Sequence, residues 1–153
     1  MKTPALVAAL ALIASSAVAQ APEGVSVADT RAWLIGAGAQ VAEPVVDSDG
    51  TRLDVTDGPL SWSLRFPGCQ TAVCGDAQFA ARFTAPGATL EAVNDWNRDQ
   101  RFLKAFAADG SATVQYDLVL NAGTPQDQLS APALVWIEGV RNFAVRIGYA
   151  RGE

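Results

Sequence analysis

Two stretches of strict alternation flank a closely spaced cysteine pair, and this arrangement limits what the chain can fold into. In Leu60-Ser61-Trp62-Ser63-Leu64-Arg65-Phe66 the large apolar side chains fall on one face and the polar ones on the other. Side chains of a strand point alternately to its two faces, so this pattern is a half-buried strand. Ala77, Phe79, Ala81 and Phe83 repeat it against Gln78, Ala80 and Arg82. Between them lies Pro67-Gly68-Cys69-Gln70-Thr71-Ala72-Val73-Cys74-Gly75, whose Pro and Gly residues mark a loop. The expectation is an antiparallel hairpin with one face on a core and the other open to water.

Four residues separate Cys69 from Cys74, against two in a thioredoxin-type redox motif. In an oxidising compartment a structural disulfide is then the expectation, and closing so short a loop contributes about 2 kcal/mol. The chain start supplies the reason to expect that compartment. Lys2 precedes an apolar run from Ala5 to Val18 that ends in Ala17-Val18-Ala19, the small-residue spacing that a signal peptidase accepts. We expect residues 1–19 to be a cleaved signal peptide and the protein to be periplasmic or secreted; cleavage after Ala21 satisfies the same rule. The apolar run is shorter than the roughly 20 residues of a spanning helix, and no later segment is long and apolar enough to span.

The remaining chain suits one domain. We divide it into a short polar segment (20–25), a folded domain (26–147) and a tail (148–153). Without Lys2 the formal charge moves from −5 to −6. Nucleic-acid binding is not expected of it, because phosphate contact needs clustered cations. Arg98, Arg101 and Lys104 form the one near-cluster, and Asp95 and Asp99 interrupt it.

The chain has no histidine. That removes the usual general base and any Ser-His-Asp or Cys-His arrangement, and it weakens any case for a metal centre. Ile35-Gly36-Ala37-Gly38-Ala39 lacks the third glycine of a dinucleotide fingerprint and follows a helical pattern, so it reads as a helix end. The sequence gives no cofactor and no catalytic residue. Asp54, Asp57, Asp95, Asp99 and Asp117 leave a carboxylate-dependent hydrolase formally open, yet they fall in turns or on polar faces.

The rest of the chain divides readily. Residues 26–38 read as a helix capped by Ser26 and stopped at Gly38. Strand candidates follow at Val41–Val46 and Thr51–Val55. Thr89 to Arg98 reads as a second helix. Phe102–Ala107 and Ala112–Leu120 read as a hairpin turned by Asp109-Gly110. Thr124-Pro125-Gln126-Asp127 starts a third helix that runs to about Arg146, with Leu129, Ala133, Trp136, Val140, Phe143 and Ile147 as its apolar stripe and Leu134, Ile137 and Ala144 broadening it. Pro132 either kinks that helix or sets its start near Ser130. Helices interspersed with hairpins give an α+β fold: a twisted antiparallel sheet of about five or six strands with three helices.

Asn94-Asp95-Trp96-Asn97-Arg98-Asp99-Gln100-Arg101-Phe102 resembles the N-x-W-N-R-x-x-R-F segment of the YbjN family. The sequel fits as well: Ala105-Phe106, the Asp109-Gly110 turn, Tyr116-Asp117-Leu118 and Gly123. The resemblance covers roughly residues 26–147 and is sharpest over 94–123. It implies a fold similar to type III secretion chaperones, which are often paired into homodimers, and no established catalysis. The function it implies is a non-enzymatic binding or chaperone-like module acting on a protein or peptide partner; a structural envelope component is the alternative. Read from their chemistry, Trp96 and Phe102 would anchor the second helix on the sheet. Asn94 and Asn97 would bond backbone where that helix unwinds, and Arg98 and Arg101 would pair with Asp95, Asp99 or Asp117. The rival reading has Trp96, Asn97 and Arg101 lining a groove.

Overall fold

The computed structural model of the protein describes residues 23–70 and 72–149. The expected leader and residues 150–153 of the expected tail lie outside them. The chain runs β1 (Val25–Ser26), α1 (Val27–Gly36), β2 (Gln40–Val41), β3 (Val45–Asp47), β4 (Gly50–Asp57), β5 (Leu60–Phe66), β6 (Cys69–Gln70), β7 (Val73–Cys74), β8 (Asp76–Thr84), α2 (Leu90–Asp99), β9 (Lys104–Ala108), β10 (Ser111–Val119) and α3 (Pro125–Arg146). The fold is α+β, with a mostly antiparallel sheet as expected.

The main sheet has the order β2-β4-β5-β8-β10-β9, with β3 also paired to β4. The two alternating segments are neighbours, with Ser63 opposite Ala80 and Arg65 opposite Gln78. Alternation decides the layers. Leu53, Val55, Trp62, Leu64, Phe66, Phe79, Phe83 and Val114 are buried on one face. Arg52, Asp54, Ser63, Arg65, Gln78 and Gln115 lie on the opposite face. The helices supply the second layer. Trp136 of α3 stacks on Phe79 at 5.5 Å, and Phe143 meets Phe83 at 6.0 Å.

Several expectations change. The strand expected over Val41–Val46 is two short strands, because Pro44 between them has no N–H to give to β4. The cysteine loop is no plain connection. Cys69 and Cys74 are disulfide-bonded as expected, and β6 and β7 form a small sheet with β1. The third helix is continuous through Pro132. Thr124 caps it in a reciprocal capping box with Asp127, and Pro125 begins it as expected. Of the three residues expected to broaden its stripe, Ala144 is buried and Ile137 half-buried, but Leu134 is 75% exposed. The Asp109-Gly110 turn joins β9 to β10 with both φ angles positive, at 52° and 70°, as a two-residue hairpin turn of type I′ requires.

Candidate binding surface

Helix α2 starts at Thr89, whose hydroxyl accepts from the Ala92 N–H at 3.2 Å. It buries Val93 and Trp96 on one side. Trp96 is 2% exposed. Its indole N–H donates to the Leu103 carbonyl at 3.1 Å, and its ring stands edge-on to Phe143 at 5.0 Å. Trp96 therefore ties α2 at once to α3 and to the start of β9. The Arg146 guanidinium lies 5.7 Å from the same ring centre, within cation–π range.

Asn97 performs a second task. Its side-chain N–H donates to the Ala105 carbonyl at 2.9 Å, and its side-chain oxygen accepts from the Ala105 N–H at 2.8 Å. β9 is the last strand of the sheet. Its outer backbone groups would otherwise be open to pairing with another chain, and the Asn97 amide occupies them as a neighbouring strand would. Asn94 is exposed. Arg98 pairs with Asp95 at 2.7 Å and Asp99 at 3.0 Å, as expected. Hydrogen bonds from Arg98 first, and then Arg146, hold the Asp99 carboxyl below its ordinary value.

The connection from α2 to β9 departs from expectation. The Gln100 N–H donates to the Trp96 carbonyl and ends the helix. The Leu103 N–H then donates to the Arg101 carbonyl at 2.8 Å, which closes a three-residue γ-turn on Phe102. Phe102 sits at φ 69°, a region that costs a bulky side chain energy. It is 70% exposed, so it does not anchor the helix. Leu103 does: it is buried, against a point on α3 where Gly139 leaves room and a Cβ would collide with it. A glycine inside a helix, where alanine is favoured, was the sequence signal for that close approach. β9 accordingly begins at Lys104, two residues later than expected.

Beside the turn lies a groove of about 380 Å³ lined by Arg101, Phe102, Val135, Glu138 and Asn142 among others. The Phe102 ring is 6.3 Å from Tyr116. Among the described arginines and lysines, Arg82 and Arg101 alone make no ion pair with another described residue. The expected pairing of Arg101 with an aspartate is therefore absent among the described residues.

The carboxylates are engaged one by one. Asp54 pairs with Arg52, Asp57 with Arg141, Asp95 and Asp99 with Arg98, and Asp117 with Lys104. Asp117 lies on the helix-free face of the sheet, remote in the fold from the α2 hollow that Asp95 and Asp99 share with Arg146. Burial is the largest influence on Asp117 and opposes ionisation, but Lys104 and Gln78 together outweigh it and lower its pKa. Gly123, at φ 155°, leads into the Thr124 cap of α3. Among the described residues no three His, Cys, Asp or Glu side chains gather as a metal would need, and no helix is long and apolar enough to cross a membrane.

The quoted motif thus divides. Trp96 and Asn97 are tied to backbone of the following segment, while Arg101 and Phe102 face outward beside a groove. Comparison with curated proteins and with solved structures returned no match. A family model described as "Putative bacterial sensory transduction regulator" matches residues 27–146. That span holds all three helices and the main sheet, and the chain belongs to the YbjN family.

Proposed function

We propose that the protein is an exported, non-enzymatic binding module that engages a protein or peptide partner through Arg101, Phe102 and the groove beside them. The observation that carries this reading is Phe102. An aromatic side chain both exposed and held at the centre of a γ-turn contributes little to the fold and burdens the backbone. Such a side chain is free to make contact outside its own domain. Arginine and aromatic residues are also the types enriched in the energetic centres of interfaces.

The paired state of Asp54, Asp57, Asp95, Asp99 and Asp117 supports binding over carboxylate catalysis. A general acid needs a raised pKa, and Asp99 and Asp117 move the other way. Export rests on the leader-like first 19 residues and fits the disulfide.

The test is site-specific photo-cross-linking in intact cells. A photoreactive phenylalanine analogue at position 102 should give a discrete adduct in the envelope fraction. The same group at Val46, equally exposed but on β3 at the other end of the sheet from β9, should give none. Identical adduct patterns from both positions, or none from 102, would remove the reading.

A further inference from the structure

We infer that the Cys69–Cys74 disulfide is a redox-dependent latch for the N-terminal end of the folded domain. The first described strand has no rung in the main sheet, although the Gly24 N–H just before it donates to the Asn121 carbonyl at 3.0 Å. It pairs with β7, with Val25 opposite Cys74 and Ser26 opposite Val73. β7 is two residues long, and its other neighbour is β6, with Cys69 opposite Cys74. The bridge therefore joins the two strands that make the seat. One residue earlier, a Cβ on Gly24 would collide with the Cys74 carbonyl, so the backbone lies directly on the cross-linked loop.

What is seated is not a free end. Val25 is 2% exposed and belongs to the core. Ser26 caps α1 by accepting from the Asp29 N–H at 3.0 Å, and its carbonyl accepts from the buried Thr30 hydroxyl at 2.8 Å. Docking of β1 and the first turn of α1 are thus one unit. β6 and β7 form no rung of the main sheet, which has its own ladders.

Cys69 is exposed and Cys74 is fully buried, which sets the order of opening. A thiolate of an external dithiol attacks the Cys69 sulfur. The S–S bond breaks, and Cys74 leaves as a thiolate that takes up a proton. The second thiol of the reductant displaces Cys69 and closes its own disulfide. The protein gains two electrons and two protons, and the dithiol loses them. Without the cross-link a two-residue strand pair gains nothing from loop closure, and β1 loses its strand partner and keeps only the Gly24 bond to Asn121 as a backbone tie. On the proposed export route, a chain still in the reducing cytoplasm would carry this end undocked next to its leader.

Hydrogen exchange on the purified protein tests the latch independently of export. Peptides covering residues 24–30 are compared with those covering 50–66 and 111–119, before and after reduction with dithiothreitol. The Cys69→Ala/Cys74→Ala double variant is run alongside. Exchange over 24–30 should rise about thirtyfold, the loop-closure estimate expressed as an equilibrium ratio, with the sheet peptides unchanged. Unchanged exchange over 24–30 after complete reduction would overturn the proposal. So would loss of protection in all peptides together, because the disulfide would then be a staple for the whole domain.

Discussion

At the scale of single residues, the YbjN signature separates into side chains that serve the fold and side chains that face out. Trp96 and Asn97 bind backbone of the segment that follows them, and Leu103 fills the space that Phe102 leaves. Hydrophobicity alone put Phe102 inside. The γ-turn that swings it out depends on one backbone angle and leaves no periodic trace in the sequence. Asn97 was legible, since an asparagine at a helix end is expected to bond backbone; that it covers a strand edge was not. Removing it in Asn97→Ala leaves the Ala105 N–H and carbonyl without partners, at a cost of about 1–3 kcal/mol. The bare edge of β9 should also promote association. Chemical denaturation and light scattering check both. Unchanged stability with no association would show that water replaces the amide without loss.

Among the elements, the legible ones were those whose signals repeat. β5 and β8 declared themselves by alternation, and α3 by its cap, its first-turn proline and its buried stripe. The small β1-β7-β6 sheet was not legible, because strands of two residues have no period to read. Leu134 misled for a different reason. At about 100° per residue Leu134 falls nearly opposite Trp136, Val140 and Phe143, so its hydrophobicity and not its place on the helix put it in the stripe. The cap of α3 gives the prediction at this scale. Thr124 accepts from the Asp127 N–H, and Asp127 reaches back to Thr124. Thr124→Ala should cost about 1 kcal/mol, read as a lower denaturation midpoint with an unchanged slope. No shift in the midpoint would mean that neighbouring groups satisfy this helix end without the box.

For the whole molecule, the charges set the response to pH. Arg65 holds the Asp47 carboxyl below the ordinary aspartate value of 3.8, Arg98 and Arg146 do so for Asp99, and Thr124 for Asp127. A carboxyl whose pKa is lower folded than unfolded stabilises the fold above the unfolded value. That contribution is lost as pH falls through the folded one. Stability should therefore decline below about pH 4. The chain has no histidine and its two cysteines are bridged, so stability should stay flat from about pH 5.5 to 7.5. Urea midpoints across that range check this, and a step within it would contradict it. The central claim, that the motif holds the fold with Trp96 and presents Phe102 to a partner, has a sharper test. It is the unfolding free energy of Trp96→Ala and Phe102→Gly measured side by side. Trp96→Ala should lose about 3–5 kcal/mol, as removal of a buried tryptophan does. Phe102→Gly should match the unchanged protein to within about 0.5 kcal/mol or exceed it, since glycine relieves the positive φ. A loss in Phe102→Gly as large as that in Trp96→Ala would contradict the account.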